Sequence, residues 1–181
     1  MEKITHRGNI IEVVQKEVDL GTKIKTFEYA RRSPGVRLII PVGDKILIPK
    51  EFRFELNTYD YHLPGGKVFD TLEEYNQALE QGANIVEASK FAGIKEAKEE
   101  VGIDIKNLEF FHKSVCGTTV IWDLYYFVVH EFAQTIDDPE AGEDIHWELF
   151  DKKDACAMCL DGRIGEERSA LVLLRFLKLA I

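Results

Sequence analysis

The chain has little cysteine, little basic charge and no long apolar run, and each scarcity excludes a class of protein. Its 3 cysteines in 181 residues (Cys116, Cys156, Cys159) are an odd number and too few to staple a chain of this length. A disulfide framework is therefore excluded, and a reducing, cytoplasmic compartment is the expectation. The longest apolar run, residues 124–129, falls far short of the roughly 20 residues that a helical membrane span needs, so no membrane partner is expected. Residues 1–20 alternate apolar and charged side chains without a basic start and an apolar core, so they do not read as a secretory leader. Lys and Arg total 23 against 32 Asp and Glu, a net charge of −9. Such a surface repels a phosphate backbone, which argues against polymeric nucleic acid as a partner. A small phosphorylated ligand stays open, because a bound divalent cation reverses the local charge.

What is present is a globular composition, 45% hydrophobic and 30% charged, long enough to bury roughly 70% of its unfolded surface without a staple. No stretch has the composition of a linker, and one domain over 1–181 is expected. Alternating side chains predict a hairpin over 9–31, turning at Asp19-Leu20-Gly21-Thr22, so that residues 1–35 form an N-terminal strand region. Strands follow over 36–42 and 45–52, then a turn at His62-Leu63-Pro64-Gly65-Gly66. A short helix is expected over 70–81, where Thr71 and Glu74 have capping-box spacing. A longer one is expected over 85–101, with Asn84 as N-cap and Gly102 as stop. Strands at 108–115, 121–132 and 145–150 and helices at 151–160 and 166–181 complete an α+β or mixed α/β order.

The most informative segment is Lys95-Glu96-Ala97-Lys98-Glu99-Glu100-Val101-Gly102-Ile103. On a helix, Glu96, Glu99 and Glu100 stand at i, i+3 and i+4 and share a face. Only Lys95 and Glu99 have productive i, i+4 spacing, so this face is arranged for repulsion. A hard divalent cation with oxygen ligands would relieve it.

With Glu87 eight positions before Lys95, and with Gly65-Gly66 upstream, this segment resembles the Nudix box. There are two departures. Twenty residues separate Gly66 from Glu87 where the box has five, an insertion assigned to 67–84. Lys95 stands where the box has arginine, which keeps the charge but loses the bidentate fork. Lys50-Glu51-Phe52-Arg53 is similar to the Arg-Gln-aromatic-Arg stretch of the ADP-ribose and nucleoside-diphosphate-sugar pyrophosphatase branch.

The resemblance implies an α/β/α sandwich with a mixed sheet between helices and an extra N-terminal antiparallel region. It also implies a homodimer with a contact through residues 1–35. The implied activity is metal-dependent hydrolysis of a nucleoside diphosphate sugar or ADP-ribose to a nucleoside monophosphate and a sugar phosphate. The alternatives are a nucleotide-binding sensor of weak activity and an enzyme acting on a nucleoside triphosphate or dinucleoside polyphosphate. Glu96, Glu99, Glu100 and the Gly65 carbonyl would hold Mg²⁺, or Mn²⁺ in its place. Glu99 and Lys95 would also serve catalysis, and Glu87 would pair with Lys95, act as a helix cap, or both. Glu143, with Glu140 second, would be the general base. Arg53 would bind the substrate diphosphate, its competing reading being an ion pair with Glu51 or Glu55. Phe52, Phe54, Tyr59 and Tyr61 are possible stacking surfaces. Cys156 and Cys159 have C-x-x-C spacing without a second pair and read as half-buried thiols rather than a zinc site.

Overall fold

The computed structural model describes residues 2–134 and 145–179. Its N-terminal region is an antiparallel sheet of β1 (Glu2–Arg7), β2 (Ile11–Asp19) and β3 (Ile24–Arg32). The β2–β3 hairpin runs from Ile11 opposite Arg32 to Asp19 opposite Ile24, closing at the turn expected from the sequence. Strand β1 precedes the expected hairpin, within the N-terminal strand region of residues 1–35. It is solvent-exposed along its whole length, so its side chains carry no alternation of burial to read.

Next come β4 (Gly35–Ile39), β5 (Pro41–Val42), β6 (Lys45–Arg53) and β7 (Thr58–Tyr61), then α1 (Leu72–Glu80) and α2 (Ile85–Val101). The chain continues through β8 (Ile103–Ser114), β9 (Val120–Ile121), β10 (Leu124–Gln134) and β11 (Ile145–Asp151) to α3 (Lys152–Leu160) and α4 (Glu167–Leu179). Strand β10 lies between β4, which runs parallel to it, and β8, which runs antiparallel. Strand β6 lies between β11 and the short β5, with β7 folded back on it. Strand β9 adds to β3 in parallel and joins the N-terminal sheet to the body of the protein.

The period of two in the strands sorts the side chains into two cores. Val36, Leu38, Ile40, Leu47, Tyr125, Phe127 and Val129 pack with Ala97 and Val101 of α2. Their alternates Ile39, Ile46, Ile48, Leu124, Tyr126 and Val128 pack with Ala155 and Met158 of α3 and Leu173 and Leu177 of α4. Strands apolar on both faces lie between helix layers, which is the α/β/α sandwich of an α+β chain. The run 124–129 is thus a doubly buried central strand, which accounts for its lack of polar interruption.

Both caps beside the insertion form. Thr71 Oγ1 accepts from the Glu74 amide at 3.1 Å, and the Glu74 carboxylate accepts from the Thr71 amide at 3.3 Å. Asn84 Oδ1 accepts from the amides of Val86 and Glu87 and starts α2. Among the described residues no helix is long and apolar enough to cross a membrane.

Candidate functional site

The site is assembled where the 63–66 turn crosses the end of β4 and meets one face of α2. The Pro64 and Gly66 carbonyls accept from the amides of Leu38 and Val36 at 2.8 and 3.0 Å, so the turn lies flat against the strand. Gly65 has φ 140°, and a Cβ there would collide with the Val36 carbonyl. A Cβ on Gly66 would collide with the Glu96 carboxyl. Both glycines are therefore required by position, the first by backbone angle and crowding and the second by the approach of a carboxylate. The Gly65 amide donates to Glu100 Oε2 at 2.7 Å.

Glu96 and Glu100 line one cavity of about 300 Å³ with Gly65 and Gly66. Burial, and then the charges of Glu100 and Glu99, push the Glu96 carboxyl up to about 7. Burial also raises Glu100, against the influence of His62 and the Gly65 amide. Two carboxylates whose ionised forms are penalised in this way are short of positive charge.

Glu99 is engaged elsewhere: its Oε2 lies 3.2 Å from Lys95 Nζ. Glu87 is exposed at the start of α2, and Lys95 pairs with Glu99 rather than with it. Of the residues assigned by resemblance, the fold thus brings Glu96, Glu100, Gly65, Lys95 and Arg53 to one cavity and leaves Glu99 and Glu87 off its lining. Glu140 and Glu143 lie outside the described residues. Among the described residues, no group of three or more His, Cys, Asp and Glu side chains converges closely enough to hold a metal ion. The donor set that fits a hard divalent cation is the half-buried pair Glu96 and Glu100, all-oxygen and with both carboxyls raised.

Arg53 forms the ion pair of its competing reading and stands at the cavity as well. Its Nη1 lies 2.8 Å from Glu51 Oε1, and its side chain also lines the cavity. Glu51 Oε2 lies 3.3 Å from His62 Nε2, and His62 Nδ1 faces the Leu63 carbonyl at 3.1 Å. Burial works against the Glu51 charge, but His62 and Arg53 outweigh it and keep the carboxyl below its ordinary range. Of the four aromatic candidates, Phe54 and Tyr59 pack edge-on against Phe52.

Among the lining residues that the sequence reading did not assign are Arg32, Arg37 and Trp122, with Lys67 and Asp70. The Trp122 indole is sandwiched between the guanidinium groups of Arg32 and Arg168, each 4.3 Å from the ring centre. Arg168 is fixed in turn by the Trp122 carbonyl at 2.8 Å and by Glu166 at 2.9 Å. Burial, with Arg37 and Arg168 nearby, depresses Arg32, and its buried Nε has no hydrogen-bond partner among the described residues. Of Arg32, Arg37 and Trp122, Arg37 was the one detectable, as a lone charge in the apolar strand Val36-Arg37-Leu38-Ile39-Ile40. Cys156 and Cys159 are half-buried free thiols on α3, remote from this cavity's lining.

No protein-family model matches the sequence, and no curated protein matches it significantly. Among solved structures, the crystal structure of an ADP compounds hydrolase is similar, with a TM-score of 0.71 at 17% identity. The similarity covers 99% of this chain and 90% of that one. The chain therefore has the α+β, Nudix-like fold of that hydrolase.

Proposed function

We propose that this protein is a metal-dependent pyrophosphohydrolase that cleaves ADP-ribose or a nucleoside diphosphate sugar into a nucleoside monophosphate and a sugar phosphate. The observation that carries the reading is the pairing of two mutually repelling, half-buried carboxylates, Glu96 and Glu100, against a glycine turn in a cavity that also presents Arg32, Arg37 and Arg53. Raised, half-buried carboxylates that face each other in a cavity suit a cation that would join them. Facing arginines suit the anionic oxygens of a diphosphate. The likeness to an ADP compounds hydrolase supports the same reading at the level of the fold.

Glu96 and Glu100 would hold the Mg²⁺ or Mn²⁺. When bound, that ion supplies charge neutralisation on phosphate oxygens and a more acidic water. The chain's own residues do the rest. The Gly65 amide orients the Glu100 carboxylate toward the cavity. Glu51 holds Arg53, itself steadied by His62, so that one guanidinium edge stays committed and the other can meet a phosphate oxygen. Arg32 is held over Trp122 and lines the cavity, where its terminal guanidinium N–H groups could meet an anion. Lys95 neutralises Glu99 beside the site.

The homodimer remains part of this proposal. The outer strand β1 and its neighbours expose Ile4, Ile11, Ile24 and Phe27, apolar surface that a second copy of the chain would cover. Light scattering is expected to give twice the mass of one chain, and a monomer would refute this part.

The test of the activity is phosphate release, through a coupled phosphatase, from ADP-ribose, several nucleoside diphosphate sugars, a nucleoside triphosphate and a dinucleoside polyphosphate, with and without Mg²⁺ or Mn²⁺. Metal-dependent turnover of the sugar conjugates is expected. Turnover confined to the triphosphate or polyphosphate would move the substrate class, and binding without turnover across the panel would replace the enzyme with a sensor.

A further inference from the structure

The insertion at 67–84 separates the glycine turn from the helix that it serves, yet it does not loop away. Its first residues stay on the body of the protein: Lys67 bridges to Gly35, the Val68 amide donates to the Pro34 carbonyl at 2.9 Å, and the Phe69 amide donates to Ser33 Oγ at 3.1 Å. Phe69 then stacks on Tyr75 of α1 at 5.5 Å between ring centres.

The far side of α1 is tied to a different part of the fold. Asn76 Nδ2 donates to both carboxylate oxygens of Glu12, at 3.1 and 3.2 Å. Glu12 lies on β2 of the N-terminal sheet and is 0% exposed. Its charge is met by Arg31 Nε at 2.7 Å and Arg7 Nε at 3.0 Å. A fully buried carboxylate with two guanidinium groups and an amide on it is a rigid junction, because every lost partner leaves a buried charge wanting. The insertion is thus pinned at one end by β4 and at the other by the N-terminal sheet.

At the first of these pins, Lys67 faces the candidate site. It lines the cavity that holds Glu96 and Glu100, and it also lines the adjoining cavity under the β1–β2 turn. Lys67 is exposed and forms no ion pair among the described residues, whereas Lys95 and Arg53 are both engaged by carboxylates. Asp70 accompanies it at both cavities.

We propose that the inserted segment is a fixed wall of the substrate cavity, contributing Lys67 to the anionic part of a diphosphate substrate, and that the Glu12–Asn76 contact positions this wall. Lys67 is then a substrate-binding residue, and Asn76 and Glu12 are positioning residues that act through it. The inference rests on the hydrolase reading of the cavity, since it takes the anionic ligand from there.

The test is the affinity for ADP-ribose, measured by calorimetry without added metal, in wild type, Lys67→Ala, Asn76→Ala, the double variant and Lys67→Arg. Loss of one charge-assisted phosphate contact is expected to raise Kd about 10-fold in Lys67→Ala. Asn76→Ala should give a rise of similar size, and Lys67→Arg should stay near wild type. Because Asn76 acts through Lys67, the double variant should be no weaker than the worse single one. Two effects that multiply, or singles at wild-type affinity, would overturn the inference. Should Asn76→Ala fail to fold, the exposed position 67 decides: unchanged Kd in Lys67→Ala overturns it, and a rise rescued by arginine supports it. A wild type that binds ADP-ribose but does not hydrolyse it with Mg²⁺ overturns the hydrolase reading alone. A wild type that binds neither ADP-ribose nor a nucleoside diphosphate sugar, with or without Mg²⁺, overturns both.

Discussion

Glu100 accepts a 2.7 Å hydrogen bond from the amide of Gly65, across 35 residues of chain that include the whole insertion. That contact joins the glycine turn to the carboxylate helix despite the fifteen extra residues between them. The insertion leaves as a pinned excursion on one side, and the turn still delivers its amide to α2.

Glu100→Gln is expected to keep the fold and lose the activity. The amide oxygen can still accept from Gly65, and a charge that burial disfavours is removed, so the melting temperature should hold or rise. Turnover of the best substrate should fall at least about 100-fold, since a metal-binding charge is worth several kcal/mol in the transition state. Retained turnover would remove Glu100 from the cation site.

The metal-free protein should lose stability as pH rises. Glu96 titrates near 7 in the folded chain against 4.5 ordinarily, so between those values the folded state holds the proton that the unfolded state has released. Stability then declines with pH across that window and levels off above 7. Melting temperatures from pH 5 to 8 should show this slope, and Glu96→Gln should flatten it. Added Mg²⁺ should flatten it too, by favouring the carboxylate. A slope unchanged in Glu96→Gln would assign it to another group.

Glu12 should behave in the opposite sense. Its burial is outweighed by Arg31, Asn76 and Arg7, which hold the carboxyl below its ordinary range. Its contribution is present above the unfolded value and is lost as pH falls through the folded one. Glu12→Ala removes the buried carboxylate on which Arg31, Arg7 and Asn76 converge, leaving Arg31 paired only with Glu2 among the described residues, and urea unfolding should show a loss of about 3 kcal/mol or more. A loss under about 1 kcal/mol, the worth of an exposed pair, would show that the junction adds little.

Trp122 should report ligand. It is one of 2 tryptophans, it lines the cavity, and so does Arg32, one of the two guanidinium groups over its ring. With Trp147→Phe isolating its emission, ADP-ribose should shift or quench the fluorescence by drawing Arg32 toward the phosphates. A spectrum indifferent to saturating ligand would separate the stack from the binding site.

The parts of this molecule legible in its sequence are those in which local chemistry decides. Asn84 and Gly102 bound α2 because a side-chain acceptor and a left-handed residue act on their nearest amides and carbonyls. The Thr71–Glu74 box does the same for α1. The repelling face of Glu96 and Glu100 follows from helix geometry alone, and so does the Lys95–Glu99 pair. Strand alternation likewise determined the α+β layering. Tertiary structure decided what depends on distant segments meeting. That Glu51 bridges Arg53 and His62, that Trp122 is clasped by Arg32 and Arg168, and that Asn76 closes on Glu12 across 64 residues are consequences of packing. No local preference encodes them, because each partner alone is an ordinary surface residue. Their chemistry exists only once burial removes water and leaves each with the other.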